Sequence, residues 1–213
     1  MEKNQGYIIS VASGEGLCEL FFELGADAVL FSDEDNLSGG ICKLIESSDA
    51  DNFIVIPISA DSFGKAEVAL SGIKERRVFL LPSKTAGEAY AALAAIPTDE
   101  SFEKQCLLGT DAALKSVPID IRSSVNSYAE KEYTAISREE VCAVSSNAED
   151  AVILSCRKLF PKDSKVITLI VGSSVTDSSR VLVTERLMAL YPDLQITVYI
   201  GGQSDADYHI AIR

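Results

Sequence analysis

Between Tyr7 and Ala95, short apolar runs rich in β-branched residues alternate four times with amphipathic stretches. This rhythm limits the fold more than any other feature of the chain. Tyr7-Ile-Ile-Ser-Val-Ala12 reads as a buried strand, and Leu17, Leu20, Phe21 and Leu24 follow at the i, i+3, i+4, i+7 spacing of one helix face. Gly25 ends that helix, because the position just past a helix C-terminus favours positive φ. The pattern repeats as strand Ala28–Phe31 with a helix around Gly40–Glu46, and strand Phe53–Pro57 with a helix from about Ser62 to Leu70. Strand Arg77–Leu81 and an Ala-rich helix Gly87–Ala95 close the series. Four consecutive β-α units predict a parallel sheet covered by helices on both faces.

After Pro97 the rhythm changes. Asp99–Ser116 reads as a longer helix capped by Thr98 or Asp99, with Phe102, Cys106, Leu107 and Leu114 available for burial. Val117–Val125, Tyr133–Ile136 and Val141–Val144 are short and partly alternating, as in an antiparallel sheet. Helix Asn147–Leu159, strand Val166–Val171, helix Asp177–Leu190, strand Leu194–Ile200 and a last strand Asp207–Ile212 complete the pattern. The expected organisation is a parallel α/β lobe over residues 1–97, a connecting helix over 98–116, and an α+β lobe over 117–213 with helices on one face of its sheet.

Charge and composition remove several functions. The chain has 19 Lys plus Arg against 32 Asp plus Glu, a formal net charge of −13, and no local basic stripe, so phosphate backbones and anionic lipid surfaces are repelled. Nucleic acid is not an expected partner. The five cysteines, Cys18, Cys42, Cys106, Cys142 and Cys156, form no CxxC pair and sit among apolar neighbours, so they read as reduced core thiols. The single histidine, His209, lies in an apolar C-terminal run and reads as a strand residue rather than a ligand or base. No cofactor or metal is expected. The N-terminus has no signal-peptide core and no run approaches a membrane span, which points to a soluble, cytoplasmic protein.

Candidate sites cluster where strands should end. Ser13-Gly14-Glu15-Gly16 lies between the first strand and helix, where backbone donors can hold an anion. A dinucleotide fingerprint lacks its third glycine, since Glu19 stands there, and Glu15 would repel phosphate; a tight turn with an acidic helix start is the competing reading. Asp33-Glu34-Asp35-Asn36 groups oxygens without the spacing of a calcium loop, so a solvated acidic loop competes with a cation site. Pro82-Ser83-Lys84-Thr85 has the Lys-Thr pair of a phosphate loop without its glycines. The serine pairs at 123 and 124, 145 and 146, and 173 and 174 lack nucleophile-elbow context. Gly201-Gly202-Gln203 reads most simply as a hairpin turn between the last two strands, with direct ligand contact as the alternative. No nucleophile, base and orienting group come together. From the residues alone the chain is an acidic, two-lobed α/β binding or scaffold module.

Several motifs, in order, carry a resemblance: Gly6-Tyr-Ile-Ile-Ser-Val-Ala-Ser-Gly-Glu-Gly-Leu17, Leu24-Gly-Ala-Asp27, Pro82-Ser-Lys-Thr85, Ala91-Ala-Leu93, Ile167-Thr-Leu-Ile170, Tyr191-Pro-Asp193 and Gly201-Gly-Gln203. From Gly6 to Ile212 the sequence resembles the C-terminal domain of the kinase subunit of bacterial fatty acid kinase, a family of DhaL-domain proteins related to dihydroxyacetone kinase. The resemblance implies a two-lobed DegV-like α/β fold, and a non-catalytic accessory domain that docks a DegV-type fatty-acid-binding protein. Phosphoryl transfer would then belong to a separate ATP-binding DhaL domain. A direct lipid or small-ligand carrier, with the ligand between the lobes as in DegV-type relatives, is the alternative. The residues it marks for partner or ligand contact are Ser13, Gly14, Glu15, Asn36, Ser38, Lys84, Thr85, Arg122, Gly202 and Gln203. Three strand-end loops depart from the family pattern: Ser32 to Ser38 keeps only its Asn and Ser, the polar loop after the third-strand proline is Ile58 to Ser62, and Arg-Asp-Thr is reduced to Arg122-Ser123-Ser124.

Overall fold

A computed structural model describes residues 5–33, 36–125 and 127–213. Glu34 and Asp35 of the acidic loop lie outside the described residues. By compactness the chain divides into two units. One holds the N-terminal segment through Ser13 together with Cys18–Lys115; the other holds Gly14–Leu17 together with Ser116–Arg213.

The first unit is built on four strands, β1 (Tyr7–Ala12), β2 (Ala28–Phe31), β3 (Asn52–Ile56) and β4 (Arg77–Leu80), all parallel in the order β2-β1-β3-β4. Successive residues of a strand point to opposite faces, and Phe53, Ile54, Val55 and Ile56 are all buried, so both faces of the centre are covered. The helices are α1 (Glu15–Glu23), α2 (Leu37–Ser47), α3 (Ala60–Leu70), α4 (Ala86–Leu93) and α5 (Phe102–Lys115). Gly25 has φ +99° and its N–H closes onto Phe22 O, which terminates α1 as the sequence indicates. The sheet order follows from chain direction. A right-handed crossover from β1 to β2 runs opposite to those from β2 to β3 and β3 to β4, which puts α1 on one face and α2 and α3 on the other.

Some expectations need correction. α5 starts at Phe102 rather than Asp99; Ser101 Oγ accepts from Lys104 N–H, so Ser101 does the work expected of Thr98 or Asp99. Phe102 and Cys106 are buried, but Leu107 is 67% and Leu114 57% exposed. Gln105, Gly109 and Ala113 complete the buried face instead. Gln105 is inside because it ties two segments, accepting from Gly6 N–H and donating to Pro97 O. Of the five free thiols, only Cys106 and Cys156 are buried. Burial pushes Cys106 up to about 11 and Cys156 up to about 12.

The second unit has a six-stranded mixed sheet: β5 (Val117–Val125), β6 (Lys131–Ser137), β7 (Glu140–Ser145), β8 (Val166–Val171), β9 (Gln195–Ile200) and β10 (Tyr208–Ile212), in the order β7-β6-β5-β10-β8-β9. β8 and β9 are parallel and the other pairs antiparallel. Its core joins Ile119, Ile121, Leu169, Val171, Tyr208 and Ile210 to Val152 and Cys156 of α6 (Ala148–Leu159) and Val183 and Leu187 of α7 (Asp177–Leu190). Each large side chain so buried contributes about 1.5–3 kcal/mol. β9 and β10 are not neighbours, because β8 lies between them, so Gly201-Gly202-Gln203 is not a hairpin turn.

The β6–β7 hairpin turns on Arg138 and Glu139, both left-handed at φ +46° and +72°. Two-residue loops with positive φ at both positions are the province of Asn and Gly, because a Cβ there is strained. Arg138 is held by donating to Ser116 O at 2.8 Å, whereas Glu139 is exposed. Glu139→Gly is therefore expected to stabilise the protein by about 1 kcal/mol in urea denaturation; an unchanged or lower midpoint would show the turn to be unstrained.

Candidate functional site

In the first unit the polar residues at the strand carboxyl ends are spent on holding their own loops. Asn36 caps α2 by accepting from Gly39 N–H at 2.9 Å, and Ser38 donates to Lys65 O of α3 at 2.8 Å. Ser59 and Ser62 form a reciprocal capping box at the start of α3. At α4, Thr85 Oγ1 caps the helix by accepting from Glu88 N–H, and the Glu88 carboxylate accepts from the N–H of Lys84, one residue before the cap. Buried Ser83 donates to Pro57 O at 2.6 Å, and Ser59 bridges Thr85. The Lys84 ammonium lies 5.4 Å from the centre of the Phe63 ring. Asn36, Ser38, Lys84 and Thr85 thus share one end of the first sheet, and α3 is the element that joins them. Ser13 Oγ is buried with no hydrogen-bond partner among the described residues.

The second unit gathers Gly14, Glu15, Gly202 and Gln203. Gly14 and Gly16 pack directly on the backbone that follows β9: a Cβ on Gly14 would lie 2.5 Å from Gln203 N and Gly201 O, and one on Gly16 only 1.9 Å from Ile200 O. Leu17 N–H donates to Gly201 O at 2.9 Å. The Gly-x-Gly spacing is therefore explained by close approach of two backbones. Gly202, at φ +69°, lets the chain reverse there. Gln203 is fully buried; its side-chain amide donates to Ile170 O at 3.0 Å, and its own carbonyl accepts from Ser173. Gln203 Oε1 has no partner among the described residues. Glu15 is exposed at the first turn of α1, where a carboxylate suits the helix dipole.

Arg122 belongs to a charged cluster that local sequence reading missed. His209 of β10 pairs in register with Asp120 of β5, and its Nδ1 lies 2.7 Å from the Asp120 carboxylate. Arg122 reaches the other oxygen of Asp120 at 3.2 Å, and Asp205 stands 3.7 Å from His209 Nε2. Burial by itself would depress the imidazole, but the Asp120 carboxylate outweighs it and pushes His209 up to about 9. Asp120 also feels burial, which would raise it; His209, and then Arg122, hold it below the ordinary carboxylate value. The signal was present as a period-two pattern, Asp120-x-Arg122 and Asp205-x-Asp207-x-His209, which puts alternate polar residues on one side of extended chain. Asp207 anchors the same loop, accepting from Ser174 Oγ at 2.6 Å.

Among the described residues, no group of three or more His, Cys, Asp or Glu is arranged to hold a metal ion. No described helix is long and apolar enough to cross a membrane.

Comparison with known proteins agrees with this architecture. An uncharacterized protein of Staphylococcus epidermidis is 24% identical over 215 residues, covering 97% of this chain and 39% of the relative. The chain thus spans about two fifths of the length of the curated relatives it matches. A DegV family protein from Thermus thermophilus, described for its fatty acid binding, superposes with a TM-score of 0.63 at 10% identity, covering 98% of this chain and 99% of that one. The dihydroxyacetone kinase of C. freundii gives 0.66 at 13% identity, covering 100% of this chain and 48% of that one. At these identities the likeness is one of fold, and that fold is DegV-like. The match that reaches beyond fold is to the FakA-like C-terminal family, named for the fatty acid kinase subunit whose C-terminal region it describes; its sequence pattern fits residues 7–213, and the chain belongs to that family.

Proposed function

We propose that this domain is a non-catalytic docking module of a fatty acid kinase-like system, binding a DegV-type protein that carries the acyl substrate while a separate ATP-binding DhaL domain supplies the phosphoryl group. The observation that carries this reading is the match of residues 7–213 to the FakA-like C-terminal family; the packing of Gly14 and Gly16 onto residues 200–203 gives the loop after β1 a structural role as well. In this reading each unit offers its own docking loops, Asn36, Ser38, Lys84 and Thr85 in the first and Gly14, Glu15, Gly202 and Gln203 in the second. Loops held rigidly by internal hydrogen bonds suit recognition, since little ordering entropy is lost on binding. Calorimetric titration against a DegV-type fatty-acid-binding protein from the same organism is expected to show saturable association in the micromolar range or tighter. No heat and no co-elution at matched concentrations would sink the reading.

One observation favours a second reading, direct binding of a carboxylate-bearing lipid. Arg122 is cationic and its side chain is 49% exposed beside Asp120, so its guanidinium can meet a carboxylate at the surface. Native mass spectrometry of protein purified from cells would show a co-purifying acyl species; its absence, with no uptake of added fatty acid, removes this reading.

A further inference from the structure

We draw no further inference here: the strongest candidate, the groove of about 510 Å³ between the C-terminal ends of α2 and α3 and the loop 72–76, selects no ligand, because its rim sets Glu46 and Glu75 beside Lys74 and Arg76 and nothing in the structure shows what fills it.

Discussion

His209→Ala is expected to lower stability by about 3 kcal/mol, because it leaves one oxygen of the buried Asp120 carboxylate without its imidazolium, with only the half-exposed Arg122 at the other oxygen. Asp120 is 7% and His209 2% exposed, so water cannot replace the lost partner. The cost belongs to the orphaned charge rather than to any net value of the pair. For that reason the double variant Asp120→Asn/His209→Gln should recover most of the loss, as two neutral amides can bond across the same register. Equal losses in the single and double variants, by urea denaturation, would show that the ion pair is not the cause.

The same pair sets a pH dependence. The folded state holds the imidazole proton more tightly than the unfolded chain, raising His209 from 6.5 to about 9. Its contribution is therefore full below about pH 6.5, declines as pH rises, and is gone above about pH 9; the shift corresponds to roughly 3 kcal/mol. Asp120 works at the other limit: its depressed pKa gives stability that is lost only as pH falls through the acid range. Denaturation midpoints of the wild type should fall between pH 6.5 and 9 relative to those of the double variant. Parallel profiles would refute the coupling.

Gly16→Ala carries the other large effect. A methyl group 1.9 Å from Ile200 O meets backbone, which cannot swing aside, so the two segments must separate and the Leu17 to Gly201 hydrogen bond must lengthen. A loss of about 3 kcal/mol, at the upper end for overpacking, is expected together with faster exchange of the Leu17 amide. Gly64→Ala is the matched control. Gly64 lies inside α3 with nothing within 4 Å of the added methyl, so that variant should gain about 0.5–1 kcal/mol from helix propensity. Equal responses at the two positions would mean that the close approach is not what requires glycine at 16.

The first unit was legible because each of its elements announces itself locally: Leu17, Leu20 and Phe21 mark one helix face, and Phe53 to Ile56 mark a doubly buried strand. Even Gly25 stands where its backbone angle demands it. The second unit was legible element by element but not in its order. Nothing between Ile200 and Tyr208 says that β8 will lie between β9 and β10, so adjacency in sequence suggested a hairpin that the sheet order excludes. His209 failed for the same reason. Its partner is 89 positions away and is supplied by antiparallel register, so an apolar local context concealed a buried charge. Leu107 and Leu114 failed differently: apolarity was taken for burial, whereas the helix turns Gln105, Gly109 and Ala113 inward. At Gly14 and Gly16 the sequence suggests an anion loop or a tight turn; that another strand end packs against them depends on a contact made almost two hundred positions away, which local pattern does not carry.

That Gly14–Leu17 groups with residues 116–213 has a consequence during synthesis. These four residues leave the ribosome early, yet the groups they pack against, Ile200 to Gln203, are made almost last. The loop stays open while the first unit, the segment through Ser13 with Cys18–Lys115, can pair and pack, and it closes only when nearly the whole chain has been made. Closing so distant a contact is slow compared with local helix formation. The final closure is thus a late step that a chaperone or protease can still interrupt, and a fragment beginning at Ser116 would have an unfilled notch beside β9.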